Sequence, residues 1–162
     1  MKSLFTILFV ASLAVLSCKD DTADLQRIDQ VADIYIDSLG QDMLNANIPG
    51  SYITIGLNDV YGDVDNAPVS FEVKKNEDTL SYIQYISGAK RRPIGNSTTL
   101  YESKIAVNLV KKVNDTLRTS NDTMIIRYDN SPEVFQINSV IYNGTTVFTK
   151  IPGQPNRIKV VK

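Results

Sequence analysis

The feature that most constrains the fold is a period-two pattern of side chains between Leu100 and Val110. One face carries apolar or small side chains, namely Tyr101, Ser103, Ile105, Val107 and Leu109. The other face is polar and carries Glu102, Lys104 and Asn108. Successive side chains of a β-strand point to opposite faces of its sheet, so this pattern predicts a strand with one buried and one solvated face. Such a strand needs a second layer to cover its apolar side.

Similar alternation recurs along most of the chain, and Gly, Pro and Asn residues separate the segments. The predicted strands include residues 31–37, 52–57, 69–73, 80–86, 124–128 and 135–141. Asn143-Gly144 predicts a hairpin, because a type I′ turn needs positive φ at both central residues. These signals predict an all-β chain: a single two-sheet antiparallel β-sandwich, immunoglobulin-like or transthyretin-like, over residues 31–162.

Two stretches allow a second interpretation. Residues 25–39 also fit a helix with Leu25 and Leu39 on its apolar face, although we favour the strand. The segments Val73–Leu80 and Val110–Leu117 share a Val-Lys-Lys-x-x-Asp-Thr-Leu frame. We interpret both as strand, polar turn and strand, and a duplicated binding module is the alternative.

Residues 1–17 have the pattern of a cleaved signal helix, with Lys2 before an apolar run. The uncharged stretch 3–17 spans roughly 22 Å as a helix, short of the bilayer's hydrocarbon core of about 30 Å. Val15-Leu16-Ser17-Cys18 resembles a bacterial lipobox. The resemblance implies cleavage before Cys18 and attachment of diacylglycerol and a further acyl chain such as palmitate. An ordinary signal peptide with an incidental cysteine and an uncleaved anchor are the alternatives.

Residues 18–30 begin with a charged run and are interpreted as an acidic tether between the membrane and the domain. Lys19, Asp20 and Asp21 resemble the export signal of lipoproteins from Bacteroidota-type bacteria. The resemblance implies an outer-membrane lipoprotein at the cell surface, and the periplasmic face is the alternative.

Three further segments resemble a family of small, uncharacterised bacterial lipoproteins: Asp37–Asn45, Asn121–Tyr128 and Val140–Gly144. This family has no assigned activity. The resemblance therefore implies a β-rich exported domain and indicates nothing about catalysis.

The composition excludes several kinds of chemistry. The chain has no histidine and one cysteine, which removes Ser-His-Asp and Cys-His nucleophile systems, His-ligated zinc and intramolecular disulfides. A formal net charge of −1 argues against a nucleic-acid partner. No glycine-rich phosphate loop is present in the sequence, so we expect no cofactor.

Two pairs of residues remain as catalytic candidates. Glu72 and Glu102 could be the paired carboxylates of a small envelope-anchored hydrolase of the glycoside type, which is the alternative function. Ser87 and Lys90 match a Ser-x-x-Lys pattern, but the motifs that accompany it in serine enzymes are missing. Both glutamates fall on solvated faces of predicted strands, so we expect no enzyme activity.

Three groups of residues are candidates for ligand binding. Asp59, Asp63 and Asp65 offer carboxylates to calcium, although their spacing fails the EF-hand frame and a turn of Asx residues explains them as well. Eight tyrosines without tryptophan allow an aromatic platform for a sugar, although core packing uses the same residues. Three adjacent cations could bind phosphate or an anionic glycan: Lys90, Arg91 and Arg92.

Asp followed by Ser or Thr recurs in a pattern that resembles the O-glycosylation acceptor of exported proteins in the same bacterial group. The acceptors would be Thr22, Ser38, Thr79, Thr116 and Thr123. The sequence as a whole predicts a lipid-anchored β-sandwich with a binding or scaffolding role. Its expected partners are the membrane, through Cys18, and an envelope protein or a glycan.

Overall fold

The computed structural model describes residues 25–86 and 88–162, and these residues form strands and no helix. The strands are β1 (Arg27–Asp29), β2 (Ala32–Ser38), β3 (Gln41–Asp42), β4 (Tyr52–Asp59), β5 (Glu72–Lys75), β6 (Ser81–Tyr85), β7 (Arg92–Pro93), β8 (Leu100–Val113), β9 (Thr116–Asn130), β10 (Val134–Tyr142), β11 (Thr145–Thr149) and β12 (Asn156–Val161). Within this part of the chain no helix is long and apolar enough to cross a membrane.

The strands form two sheets, which confirms the predicted all-β sandwich. The larger sheet has seven strands in the order β1-β10-β9-β8-β4, with β11 paired to β10 and β7 paired to β8. The smaller sheet has five strands in the order β12-β2-β6-β5, with β3 paired to β2. Most neighbours are antiparallel, but β1 pairs with β10 and β12 pairs with β2 in parallel.

The core lies between the inner faces of the two sheets. The alternation predicted for β8 is present, since Ser103, Ile105, Val107 and Leu109 are all buried. The smaller sheet contributes apolar side chains to the same cluster, with the same period of two: Ile34 and Ile36 from β2, Ile83 from β6, and Ile158 and Val160 from β12. Fully burying an aliphatic side chain of this size contributes about 1.5–3 kcal/mol, so this cluster is the main stabilising feature of the domain.

The predicted hairpins are present at all three positions. Asn143 and Gly144 have φ of 48° and 84°, and they join β10 to β11. Asn114 and Asp115 have φ of 48° and 59° and join the long strands β8 and β9. Asn and Asp tolerate this left-handed region better than other side chains, because their short polar groups can bond to nearby backbone. The turn after Lys75 joins β5 to β6.

The predicted strand over residues 69–73 is present only from Glu72, where β5 begins, because the chain changes sheets within this segment. The Val69 amide donates to the Leu57 carbonyl of β4 at 2.9 Å, in the larger sheet. Three residues later, Glu72 begins β5 of the smaller sheet. Alternation of apolar and polar side chains predicts a local strand, but it does not indicate which sheet each end of that strand pairs with.

The first strands of the domain settle the ambiguity over residues 25–39. β1 and β2 replace the alternative helix, so the favoured strand interpretation is confirmed. Residues 27–29, within the segment assigned to the tether, pair with residues 134–136 of β10.

Candidate functional site

The outer face of the smaller sheet carries a row of side chains that crosses all four of its main strands. Lys159 of β12 is opposite Tyr35 of β2, and Lys74 of β5 is opposite Tyr82 of β6. The two tyrosine rings contact each other across the strands, with centroids 5.3 Å apart and planes tilted by 32°. Tyr35 points outward because its neighbours along β2 point into the core. A tyrosine pair therefore lies between two lysines.

A second row of side chains lies beside the first and contains both positively and negatively charged residues. It comprises Arg157 of β12, Asp33 of β2, Gln84 of β6 and Glu72 of β5. The Gln84 amide donates to Asp33 at 3.2 Å and accepts from Lys74 at 2.6 Å. Lys74 also pairs with Glu72 at 2.8 Å, and this contact holds the pKa of Glu72 below its usual range. Lys74 and Asp33 are thus already engaged within the sheet.

Two adjoining cavities open at the tyrosine pair, with volumes of about 280 and 370 Å³. They share Tyr35, Asn76 and Arg157 as lining residues. Lys159 and Leu80 line the smaller cavity, and Tyr82 lines the larger one. We call the two rows and these cavities the Tyr35–Tyr82 face.

The turn between β5 and β6 forms one wall of these cavities. The Asn76 side-chain oxygen accepts a hydrogen bond from the Leu80 backbone amide at 2.9 Å. The Asn76 backbone amide donates to the Leu80 carbonyl at 3.0 Å. Thr79 reaches a left-handed φ of 64° within this turn. These bonds fix the position of Asn76 beside Tyr35.

The polar groups of the smaller cavity differ in whether they already have partners. Asp37 accepts from the Gly40 amide at 3.0 Å, and Asp42 accepts from two backbone amides, at 3.0 and 2.8 Å. The side chains of Arg157 and Lys159 are exposed and make no hydrogen bond or ion pair with the described residues. The donors of these two cations are therefore available to a ligand.

The surroundings of Tyr35 raise the pKa of its hydroxyl. Burial raises the pKa of Tyr35, the Asp33 carboxylate raises it further, and Arg157 and Asn76 act in the opposite direction. The net pKa lies above the usual value, and the protonated hydroxyl is both a hydrogen-bond donor and an acceptor.

The structure does not bring the three calcium candidates together. Asp59 is buried and accepts from the backbone amides of Tyr61 at 2.8 Å and Lys90 at 2.6 Å. Asp63 forms an ion pair with the Lys90 side chain, and Asp65 is exposed. No cluster of three His, Cys, Asp or Glu side chains suited to a metal occurs among residues 25–86 and 88–162. Asp59 acts here as the acceptor that orders its own turn.

The three basic residues after the β6 strand each contact a different partner. Lys90 forms an ion pair with the Asp63 carboxylate. The Arg91 guanidinium carbon lies 4.9 Å from the centre of the Tyr128 ring and 4.7 Å from that of Phe135. The Arg92 guanidinium carbon lies 4.3 Å from the centre of the Tyr61 ring. Arg91 also donates to the Gln30 side chain at 2.8 Å. Cation–π contacts of this kind contribute about 0.5–2 kcal/mol, so these residues attach their loop to the domain.

The two carboxylates considered for glycoside hydrolysis lie on different sheets. Glu72 is on the outer face of the smaller sheet. Glu102 is on the outer face of the larger sheet, where it accepts from the Tyr61 hydroxyl at 2.7 Å and lies 3.7 Å from Arg127. Side chains on the outer faces of a sandwich point away from each other, which does not suit a shared cleft.

The O-glycosylation candidates fall in different surroundings. Thr79 and Thr116 are exposed in or beside hairpin turns. The Ser38 hydroxyl donates to the Lys162 carbonyl at 2.9 Å, and Thr123 lies half-buried within β9. Several predicted residues lie outside the part of the chain that the structure describes: Cys18, Lys19, Asp20, Asp21, Thr22 and Ser87.

Sequence reasoning missed the cations of the Tyr35–Tyr82 face. Arg157 and Lys159 alternate with buried Ile158 and Val160 along β12, and this alternation was a usable signal. Their proximity to Tyr35 depends on the parallel pairing of β12 with β2, two strands more than 100 residues apart.

The chain matches no protein-family model, no curated protein and no solved structure.

Proposed function

We propose that this protein is a lipid-anchored component of the bacterial cell envelope whose β-sandwich binds or scaffolds a partner. The anchor is the acylated Cys18, and the resemblance to lipobox and export sequences supports a place at the outer membrane, facing the cell exterior. Two or more acyl chains hold a protein at a membrane far more stably than one, so the domain remains associated with the envelope.

The observation that supports a binding role is the Tyr35–Tyr82 face. It combines an aromatic pair, two adjoining cavities and the donors of Arg157 and Lys159, which have no partner among the described residues. Binding sites typically pair apolar walls with a few polar groups that fix the ligand's orientation.

The anchor is tested by the Cys18→Ser variant in cells grown with a labelled fatty acid. We expect the wild-type protein to carry the label and to sediment with membranes, and the variant to be unlabelled and released. Ser17→Ala keeps a small residue before the cysteine and is the matched control, which should behave as the wild type does. A Cys18→Ser protein that stays with the membranes would refute the lipid anchor.

Orientation is tested by treating intact cells with a protease. Surface exposure predicts that the wild-type domain is digested, while a variant with Asp20→Ala and Asp21→Ala is protected. Digestion of neither protein would place the domain on the periplasmic side.

A further inference from the structure

We infer that the Tyr35–Tyr82 face binds a saccharide that carries a carboxylate group. This inference rests on the binding role proposed above and names the ligand class for it. The tyrosine pair offers an apolar surface with hydroxyl groups at its edge. One face of a sugar ring is mainly C–H, whereas its edge carries hydroxyl groups, so the two surfaces complement each other.

The polar groups around the tyrosines include both donors and acceptors. Asn76 and Arg157 border both cavities. Glu77 and Asp78 add acceptors to the larger cavity. Each sugar hydroxyl is both a donor and an acceptor, and it needs partners of both kinds when it leaves water. A mixed lining of this kind suits a polyhydroxyl ligand.

Arg157 and Lys159, which have no partner among the described residues, favour an acidic sugar over a neutral one as the ligand. Arg157 and Lys159 lie two residues apart on one face of β12, which places them roughly 6–7 Å apart along the strand. A carboxylate between them would complete hydrogen bonds that neither side chain makes within the described residues. Guanidinium and ammonium groups form their strongest hydrogen bonds with such anions.

The distribution of charge argues against an extended anionic surface as the occupant. Glu77 and Asp78 line the cavity beside the cations, and Glu72 lies in the adjoining row. A membrane of anionic lipids or a nucleic-acid backbone would bring further negative charges against these carboxylates. A single sugar acid can place its one charge near Arg157 and its hydroxyl groups near the acceptors.

The test uses the full lipidated chain in micelles of an uncharged detergent, with binding measured by isothermal titration calorimetry. The probe is the methyl glycoside of galacturonate, which carries one carboxylate, and its methyl ester is the matched neutral ligand. We expect the acid to bind about 10- to 100-fold more tightly than the ester, as the loss of a charge-assisted hydrogen bond predicts.

Variants locate the site. Arg157→Gln should abolish the difference between acid and ester, and Arg118→Gln, an exposed arginine of the larger sheet, should leave it unchanged. Tyr82→Ala should weaken both ligands about tenfold or more, whereas Tyr101→Ala should not. Lys159→Gln changes only an exposed side chain and replaces Arg157→Gln if that variant is unfolded.

Three results would overturn the inference: no binding of the acidic methyl galacturonoside, equal binding of acid and ester, or full retention of binding in both cation variants. Binding of phosphatidylglycerol vesicles that is lost in Arg157→Gln, without sugar binding, would assign the face to a membrane and would also overturn it. None of these results bears on the lipid anchor, which depends on the Cys18→Ser fractionation.

Discussion

The Asp122 carboxylate joins the two sheets at one end of the sandwich, and its removal should be among the most damaging polar substitutions in the domain. Asp122 of β9 accepts from the Lys162 ammonium, from the Tyr142 hydroxyl at 2.8 Å, from the Asn143 amide at 2.8 Å and from the Ser120 hydroxyl at 3.2 Å. Lys162 directly follows β12 of the other sheet.

The size of the effect follows from burial. The side chains of Asp122 and Lys162 are 8% and 19% exposed. The pair thus lies between surface ion pairs, worth about 0–1 kcal/mol, and buried pairs, whose disruption costs about 3–5 kcal/mol. Asp122→Ala also leaves the buried Tyr142 hydroxyl without its acceptor. We expect Asp122→Ala to lower the free energy of unfolding by about 3 kcal/mol, and Asp122→Asn, which keeps one acceptor oxygen, by about half of that.

Urea unfolding followed by circular dichroism measures this loss. The midpoint concentration should fall while the slope m stays the same, since the variant changes stability and leaves the unfolded surface unchanged. Asp65→Ala is the control, because Asp65 is exposed and its side chain makes no hydrogen bond or ion pair with the described residues. It should change the free energy of unfolding by less than about 0.5 kcal/mol. An Asp122→Ala protein as stable as this control would refute the reasoning.

The same cluster predicts a dependence on pH. Burial by itself would raise the pKa of Asp122, but hydrogen bonds from Lys162, Asn143 and Tyr142 outweigh it and hold the pKa below the usual value. A carboxylate with a lowered folded-state pKa stabilises the fold fully above its unfolded pKa, near 3.9, and loses this effect as pH falls through the folded pKa. The stability difference between wild type and Asp122→Asn should therefore be full at about pH 5 and should shrink below about pH 4.

Two further substitutions test the other end of the sandwich and one hairpin. Lys150→Ala should cost about 2–3 kcal/mol by thermal unfolding, because the Lys150 side chain is 7% exposed and lies 2.6 Å from Asp29; a change in stability below about 0.5 kcal/mol would contradict this. Gly144→Ala should cost about 1 kcal/mol through backbone strain alone, since φ is 84° and nothing lies within 4 Å of the added methyl group. Gly56→Ala is its control, since the new group would only reach Asn108 at 3.7 Å; equal losses in the two variants would contradict the strain argument.

Those parts of the fold that depend on local pattern could be predicted from the sequence. The period-two burial of β8 follows from which of its side chains are apolar, and the Asn143-Gly144 turn follows from backbone preferences of those two residues. Each signal is contained within a short stretch of sequence, so no knowledge of the rest of the chain is needed.

The candidate site could not be predicted in this way, because it depends on pairing between distant segments. Tyr35, Tyr82 and Lys159 become neighbours only when β2 lies between β12 and β6. The basic run Lys90–Arg92 is a candidate binding site in the sequence, because its charges are adjacent along the chain. In the folded domain each of those charges has a local partner, whereas Lys159 has none among the described residues.

The polar clusters at the two ends of β12 also determine which way its cations point. Asn156, at the start of β12, donates to Asp29 at 2.9 Å and to the Val31 carbonyl at 2.8 Å, while Lys162 binds Asp122 just beyond its end. A slip of one residue in the pairing with β2 would turn Arg157 and Lys159 into the core and Ile158 toward solvent. Because a slip would also break both polar clusters, the clusters oppose it and hold β12 in register. The pairing register therefore fixes the backbone positions of both cations on the outer face, which would reduce the conformational entropy that ligand binding costs.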